Sequence, residues 1–293
     1  MKQAVLIFNP RAGNWQTAPR VVAIRSALAE AGFETEPLPT AAPGHATELA
    51  RESATGGVEV VFAHGGDGTL REAAAGLLGT DAALAPVPGG TTNVVAFALG
   101  LPQDPVRAAK RFSRAEIVDM DVGLCGKEVF LMQTSAGLDA QIMGNLDPWL
   151  KRRLGKAAVA LSGSRQIFSY DYPAIDLVAD GRRLTAKMVA LCNLPYYAGS
   201  YQMAPGASTS DGELDLVLFT GEGRLETLGF ARDLFLGRHL GRSDVDLIRV
   251  REATLLGPPG LPLQLDGDAI PMAFPVTVGL HPQRLKILRP LPA

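Results

Sequence analysis

The first half of the chain alternates short, wholly apolar runs with segments whose hydrophobic residues recur at helical spacing. The apolar runs predict buried strands at 4–8, 58–63 and 82–87. The helical spacing predicts helices over 21–28, 46–53, 70–78 and 94–99, and around 107–112. Strands that alternate with helices are typical of a parallel sheet joined by crossover connections. An α/β domain is therefore expected over residues 1–120.

The second half has a different pattern, in which short strand-like runs dominate. The Asp180-Gly181 pair lies between apolar runs at 174–179 and 184–191, which is a strong hairpin signal. Further strands are predicted at 214–219, 253–256, 261–265, 276–280 and 285–288. Helices are predicted around 148–161 and 224–240. An antiparallel, β-rich domain is therefore expected over residues 121–293.

Composition narrows the class of protein. The 293 residues carry 28 Lys and Arg against 30 Asp and Glu, so no nucleic-acid partner is expected. Cys125 and Cys192 lack the CxxC spacing of a zinc site and do not form a disulfide framework. The run at 4–8 is too short for a signal peptide, and prolines interrupt the longest uncharged stretches. We expect a cytoplasmic protein that touches a membrane, if at all, from outside.

The sharpest local motif is Gly65–Thr69, with the sequence GGDGT, between a predicted strand and a predicted helix. Its glycines let the backbone approach a ligand closely, and N–H groups at a helix start bind phosphate. Asp67 within such a loop suggests that a cation, naturally Mg²⁺, accompanies the phosphates. The alternative is a tight turn in which Asp67 caps the helix.

Two further loops follow predicted strands in the same way. Pro88–Asn93 has a glycine pair before hydroxyl and amide side chains, and Asn9–Gly13 follows the first strand. Because the carboxyl ends of parallel strands meet at one edge of a sheet, the three loops are expected to converge on one site. There is no GxGxxG after the first strand and no Walker lysine motif, so nucleotide phosphates would be bound by another scheme.

These loops together resemble the diacylglycerol kinase catalytic family, which includes bacterial lipid kinases and sphingosine kinases. The resemblance implies an α/β nucleotide-binding domain followed by a β-sandwich domain. It also implies Mg²⁺-dependent transfer of the γ-phosphoryl group of ATP to a lipid hydroxyl. The ATP contacts that it implies are Asn9, Thr40, Gly65, Gly66, Asp67, Gly68, Thr69, Leu70, Arg71, Gly90, Thr91 and Asn93.

The resemblance also assigns acidic residues. Asp67 is expected near the catalytic Mg²⁺, and Asp121 resembles an aspartate that helps to organise that site. Further on, the Asp211 side chain and the carbonyls of Ser208 and Glu213 match a structural Mg²⁺ loop. An ordinary Ser-Asp-Gly turn is the alternative for this segment.

A late Asp266-Gly267-Asp268 segment resembles the family's Asp-Gly-Glu motif, whose glutamate acts as the general base. Here position 268 is aspartate, which still accepts a proton but reaches about 1.5 Å less far. The implied role of Asp268 is to take the proton of the acceptor hydroxyl. The alternative is a hairpin turn with a solvated aspartate.

Two other functions stay open. A NAD kinase shares the GGDGT loop and a two-domain plan, and a catalytically weak nucleotide or lipid sensor would fit the aspartate at position 268. The basic cluster Lys151–Arg153 with Lys156 either contacts anionic lipid at a membrane surface or forms the solvated face of a helix. The identity of the lipid acceptor and the presence of a homodimer are also open.

Overall fold

The computed structural model describes residues 1–11, 17–145, 166–167 and 169–292. The chain divides into one unit of Met1–Met120 with Pro282–Ala293 and a second unit of Asp121–His281. The sequence-based division places residues 282–293 in the second domain, and this is corrected because their strand joins the sheet of the first unit. The predicted helix at 148–161, with the basic cluster within it, lies outside the described residues.

The first unit is a six-stranded sheet with helices between its strands. The strands are β1 (Lys2–Phe8), β2 (Phe33–Pro39), β3 (Val60–Gly65), β4 (Ala83–Pro88), β5 (Ala115–Met120) and the last strand of the chain, β20 (Leu285–Pro290). The helices are α1 (Thr17–Glu30), α2 (His45–Thr55), α3 (Asp67–Leu77), α4 (Val94–Ala98) and α5 (Pro105–Arg111). The strand order is β2-β1-β3-β4-β20-β5. Every pair is parallel except β20 with β5, so the sheet is mixed.

The central strands of this sheet are continuous apolar runs because both of their faces are covered. All residues of β3 and β4 are buried. The Phe62 ring on β3 makes edge-to-face contacts with Phe33 and Phe112, at centroid distances of 5.1 and 5.3 Å. The sequence pattern did not predict β2 and β5, which lie at the two edges of the sheet. Their exposed, charged positions dilute the apolar signal that identified the central strands.

The second unit contains two six-stranded antiparallel sheets. Its strands are β6 (Gly123–Cys125), β7 (Glu128–Phe130), β8 (Gln133–Gly137), β9 (Ile175–Ala179), β10 (Arg182–Ala186), β11 (Met188–Cys192), β12 (Tyr196–Tyr197), β13 (Tyr201–Gln202), β14 (Leu214–Phe219), β15 (Val245–Val250), β16 (Glu252–Leu255), β17 (Leu263–Leu265), β18 (Asp268–Ile270) and β19 (Val276–Leu280). The helices are α6 (Leu138–Gly144) and α7 (Gly223–Phe235), with a 3₁₀ turn at His239–Gly241. The sheet orders are β10-β9-β16-β19-β6-β7 and β15-β14-β11-β8-β17-β18.

One apolar core joins these two sheets. It takes Leu177 and Val278 from the first sheet and Leu191, Leu216 and Leu263 from the second, all of them fully or almost fully buried. An α/β unit with a β-sandwich unit is the fold class that the sequence predicted. Within the described residues, no helix combines the length and apolarity that crossing a bilayer requires.

The predicted hairpin turn at Asp180-Gly181 is confirmed, whereas the strand predicted after it is not. Asp180 and Gly181 have positive φ angles of 45° and 80° and join β9 to β10, as predicted from the Asp-Gly pair. The single strand predicted at 184–191 is wrong. It is divided between β10 and β11, which lie in different sheets, because the chain crosses from one sheet to the other after Ala186.

Both cysteines are free and buried in the second unit, and this predicts low thiol reactivity. Burial raises the pKa of the Cys125 thiol to about 11, and burial also raises the pKa of Cys192. Since the thiolate is the reactive species, the native protein at pH 8 should react with a disulfide reagent at least about tenfold more slowly than an exposed thiol. Ser113→Cys, at an exposed position, is the control. Native labelling of either natural cysteine as fast as this control would contradict the prediction.

Candidate functional site

Four loops lie along one edge of the sheet of the first unit. They begin at Thr40, Asn9, Gly66 and Gly89, directly after the adjacent parallel strands β2, β1, β3 and β4. Backbone hydrogen bonds tie neighbouring ends together: Thr40 N–H donates to the Phe8 carbonyl at 2.9 Å, and Gly89 N–H to the Gly65 carbonyl at 2.9 Å. The predicted glycine loops therefore share one edge with the Thr40 loop, as ligand sites of parallel sheets require.

The loops after β3 and β4 approach each other so closely that only glycine fits at position 90. A Cβ atom on Gly90 would lie 2.5 Å from the Cα atom of Gly66. A Cβ on Gly65 would lie 2.6 Å from the Cβ of Thr69. Real Cβ atoms do not approach at such distances, so the absence of side chains is what lets the two loops touch.

Asp67 is the first residue of α3, and Gly66 occupies the N-cap position before it. The capping alternative for Asp67 is therefore not the observed arrangement. The Thr92 hydroxyl, from the neighbouring loop, donates a hydrogen bond of 2.9 Å to Asp67 Oδ2. A carboxylate in the first turn of a helix is also stabilised by the helix dipole. Thr92 thus fixes the orientation of the carboxylate at the glycine loop.

The side chain of Asn93 forms hydrogen bonds with the backbone of the second glycine loop. It is buried, and its φ of 48° is in the left-handed region. Its Oδ1 accepts hydrogen bonds from the N–H groups of Gly89 and Gly90, at 3.2 and 2.8 Å. Its Nδ2 donates to the Gly90 carbonyl and to Gln103, at 3.0 and 2.7 Å. The amide groups of Gly89, Gly90 and Asn93 are therefore engaged within the loop, while Thr91 is exposed.

His64 lies under these loops and packs there rather than facing solvent. Only 5% of its surface is exposed, and its Nδ1 is 3.2 Å from the Val87 carbonyl. Burial lowers the pKa of His64, so the imidazole is neutral near pH 7. A Cβ on Gly89 would lie 2.8 Å from the ring, which is a further reason for glycine at that position.

In the second unit, the structure brings Asp121 together with the predicted metal loop at 208–213. The Asp121 Oδ2 atom accepts a hydrogen bond from Gly212 N–H at 2.9 Å, and its own N–H donates to the Thr209 carbonyl at 2.6 Å. Asp211 Oδ1 accepts from Glu213 N–H at 3.2 Å, which closes a local turn. Asp121 thus organises this loop, whereas the family resemblance assigns it to the catalytic metal.

The donor set of this loop is made of oxygen atoms, which suits Mg²⁺. Among the described residues, no three His, Cys, Asp or Glu side chains form a cluster able to hold a metal. A site here would therefore need backbone carbonyls, as the assignment of Ser208 and Glu213 already supposes. Burial raises the pKa of nearby Asp215, Arg249 lowers it, and the charges of Asp211 and Glu213 raise it again.

Asp268 is placed by a tight hairpin turn. It pairs with Leu265 across β17 and β18, and the two turn residues Asp266 and Gly267 have φ angles of 52° and 86°. A hairpin turn, which was the alternative interpretation of this segment, therefore explains the Asp-Gly pair. Asp268 itself is exposed at the start of β18. The turn therefore presents a carboxylate to solvent, in a different unit from Asp67.

The role of Asp266 was not found from the sequence. Its carboxylate is buried and accepts hydrogen bonds from the N–H groups of Leu131, Met132 and Gln133, at 2.8, 2.8 and 3.1 Å. Such bonds to a carboxylate are strong, and they fix the turn to the start of β8. The only sequence signal was an aspartate before glycine, which does not reveal a partner more than a hundred residues away.

Comparisons with known proteins also divide the chain into two regions. The family model for "Diacylglycerol kinase catalytic domain" matches residues 3–125, and that for "YegS C-terminal NAD kinase beta sandwich-like domain" matches residues 132–289. A diacylglycerol kinase of Bacillus subtilis is 28% identical, covering 92% of this chain and 90% of that protein. A "probable lipid kinase YegS-like" of Chromohalobacter salexigens is 31% identical, covering 90% and 86%.

A solved structure from Bacillus anthracis, described as a candidate diacylglycerol kinase, is similar over the whole fold. Its TM-score to this chain is 0.81 at 25% identity, and the match covers 96% of this chain and 92% of that one. A second Bacillus anthracis structure has a TM-score of 0.74 at 21% identity and supports the fold alone.

Adding a methyl group at position 90 should separate the two glycine loops. Gly90→Ala places a Cβ where 2.5 Å separates it from backbone of Gly66, and such overpacking costs about 1–3 kcal/mol. We expect that loss in the free energy of unfolding measured with urea. Gly56→Ala, where the new Cβ meets only ordinary contacts at 3.4 Å, is the control. Equal stability of the two variants would show that the loops yield without cost.

Proposed function

The chain belongs to the diacylglycerol kinase catalytic-domain family of lipid kinases, and we propose that it transfers the γ-phosphoryl group of ATP to a lipid hydroxyl in the presence of Mg²⁺. The observation that carries this proposal is the contact of the two glycine loops beside Asp67. At this edge of the sheet lie a backbone free of side chains, the start of a helix and a carboxylate. This combination suits a nucleotide with its cation.

The polyphosphate would lie against the amino end of α3. N–H groups in the first turn of a helix are not used within the helix, and they favour anions. Arg71, in the same helix, adds a positive charge, and Thr40 and Asn9 border the same edge. Since the amides of Gly89 and Gly90 are engaged by Asn93, their loop contributes its shape and the exposed Thr91 rather than those two N–H groups.

The residues present fit a divalent cation. When bound, Mg²⁺ would neutralise the charge of the transferred phosphoryl group. Asp67 is oriented by Thr92 and would supply a carboxylate oxygen to it. A second, structural cation would lie at Asp211 with the carbonyls of Ser208 and Glu213, in the loop that Asp121 organises.

Asp268 would act on the acceptor. It takes the proton of the lipid hydroxyl as that oxygen bonds to the γ-phosphorus, and the bond from this phosphorus to the bridging oxygen breaks to release ADP. The exposed position at the start of β18 leaves its carboxylate accessible to such a substrate. The acceptor class follows the relatives, which carry the names of lipid and diacylglycerol kinases.

Phosphate transfer from γ-labelled ATP tests the proposal directly. With Mg²⁺, we expect label in mixed micelles that contain diacylglycerol, phosphatidylglycerol or a sphingoid base, and none in NAD. Asp67→Asn should reduce transfer at least about 100-fold, because it removes the charge that faces the cation. Asp119→Asn, an exposed aspartate on β5, is the matched control and should keep full activity.

The other outcomes identify the alternatives. Label in NAD rather than in lipid would make the protein a dinucleotide kinase. Tight binding of ATP without label in any acceptor would indicate a sensor and overturn the proposal.

Replacing the proposed base should separate catalysis from binding. In Asp268→Asn, kcat should fall about 100-fold or more, while the Kd of ATP measured by calorimetry stays the same, because the amide accepts no proton. Asp268→Glu restores the carboxylate with a longer reach and should keep activity. Full kcat in Asp268→Asn would remove this residue from the mechanism.

A further inference from the structure

Four polar side chains of the second unit form a buried hydrogen-bonded cluster that the proposed chemistry does not use. They are Ser135 on β8, Asp139 on α6, Tyr197 on β12 and Gln264 on β17, called here the Asp139 cluster. Asp139 is 5% exposed, and Ser135 and Gln264 are each 1% exposed. Buried polar groups of this kind cost free energy unless they are paired, so their pairing defines their orientation.

Three side chains of the cluster donate hydrogen bonds to Asp139. The hydroxyl groups of Ser135 and Tyr197 both donate to the carboxylate of Asp139. The Gln264 Nε2 atom donates to Ser135 Oγ at 2.9 Å and to Asp139 Oδ2 at 3.3 Å. The amide nitrogen of Gln264 therefore faces the cluster, where it meets the oxygen atoms of Ser135 and Asp139. Its amide oxygen is therefore directed to the opposite side.

That oxygen reaches the turn before Asp268. Gly267 N–H donates a hydrogen bond of 2.7 Å to Gln264 Oε1. The Thr134 hydroxyl donates a hydrogen bond of 2.9 Å to the main-chain carbonyl of Gln264. On its other side, the turn is held through Asp266, whose carboxylate accepts the N–H groups of residues 131–133. The turn is thus fixed from two directions, and Asp268 follows it directly.

Core packing does not account for a glutamine here. Its neighbours Leu263 and Leu265 belong to the apolar core between the two sheets, so Gln264 lies on the opposite face of β17. On that face, the amide nitrogen of Gln264 is hydrogen-bonded within the Asp139 cluster, and its amide oxygen is hydrogen-bonded to the turn.

We propose that Gln264 is a positioning residue that holds the Gly267 peptide, and with it Asp268, and that Asp139 sets the orientation of its amide. This inference rests on the proposed role of Asp268 as proton acceptor. Burial raises the pKa of Asp139 above its usual value, and the hydrogen bonds from Ser135, Tyr197 and Gln264 offset only part of that rise. A turn displaced by about 1 Å costs about 100-fold in rate, which is the scale of the expected effect.

Exchanging the two functional groups tests the proposal. Asp139→Asn and Gln264→Glu each break the match of donors and acceptors. The double variant Asp139→Asn/Gln264→Glu restores it, since the amide at position 139 then donates to the carboxylate at position 264. That carboxylate also accepts from Gly267 N–H. Tyr197→Phe removes a single donor and serves as a milder variant if either single exchange does not fold.

Two measurements are made on each variant. Hydrogen exchange of peptides covering 264–270 should become at least about tenfold faster in both single variants, as the Gly267 amide loses its acceptor geometry. In the lipid kinase assay, kcat should fall about 10-fold to 100-fold with the KM for ATP unchanged. The double variant should recover both values to within about threefold of the wild type. Thr185→Val, which removes an exposed hydrogen bond to Asp176 in the same unit, should change neither.

Three results would overturn the inference. Unchanged exchange at 264–270 in folded single variants would show that Gln264 does not hold the turn. Faster exchange with unchanged kcat would separate the turn from catalysis. A double variant as impaired as the single ones would show that the orientation of the amide is irrelevant. If the wild type labels no lipid, the proposed function fails, while the exchange measurements still decide whether Gln264 fixes the turn.

Discussion

The contact between Gly66 and Gly90 is the constraint on which the candidate site depends. Strands β3 and β4 run parallel in a register that pairs Gly65 with Pro88, so the two loops leave the sheet side by side. Because a Cβ on Gly90 would lie 2.5 Å from the Gly66 backbone, no side chain fits at position 90. The start of α3 and the carboxylate of Asp67 are thereby placed against the loop that carries Thr92.

Three buried polar side chains of the two units fix the backbone of loops through hydrogen bonds. Asn93 accepts hydrogen bonds from two N–H groups of its own glycine loop, and Asp266 accepts them from three consecutive N–H groups at and just before the start of β8. Asp121 does the same for the loop at 208–213. Each of these side chains is buried, where an unpaired polar group costs about 1–3 kcal/mol, so their hydrogen bonds hold the loops in single conformations.

Hydrogen bonds of this kind also fix the turn that carries the aspartate at position 268. The turn that carries it is held by side chains of Asp266 and Gln264, and its two residues have the positive φ angles of a two-residue hairpin. The position of the carboxylate is therefore set by the backbone, and the length of the side chain is only one part of its reach. The two family models together match residues of both units.

The sequence by itself determined the features that depend on local chain properties. Apolar runs identified the central strands, glycine loops identified the edge of the first sheet, and the Asp180-Gly181 pair identified a hairpin turn. The tertiary structure alone decided the edge strands β2 and β5, the return of residues 285–290 to the first sheet, and the partners of Asp266 and Gln264. The physical reason is that backbone conformation and periodic burial are set within a few residues. Strand order and several buried hydrogen bonds, in contrast, join groups that lie far apart in the sequence, such as Asp266 with Leu131 and β20 with β4, and no local pattern records them.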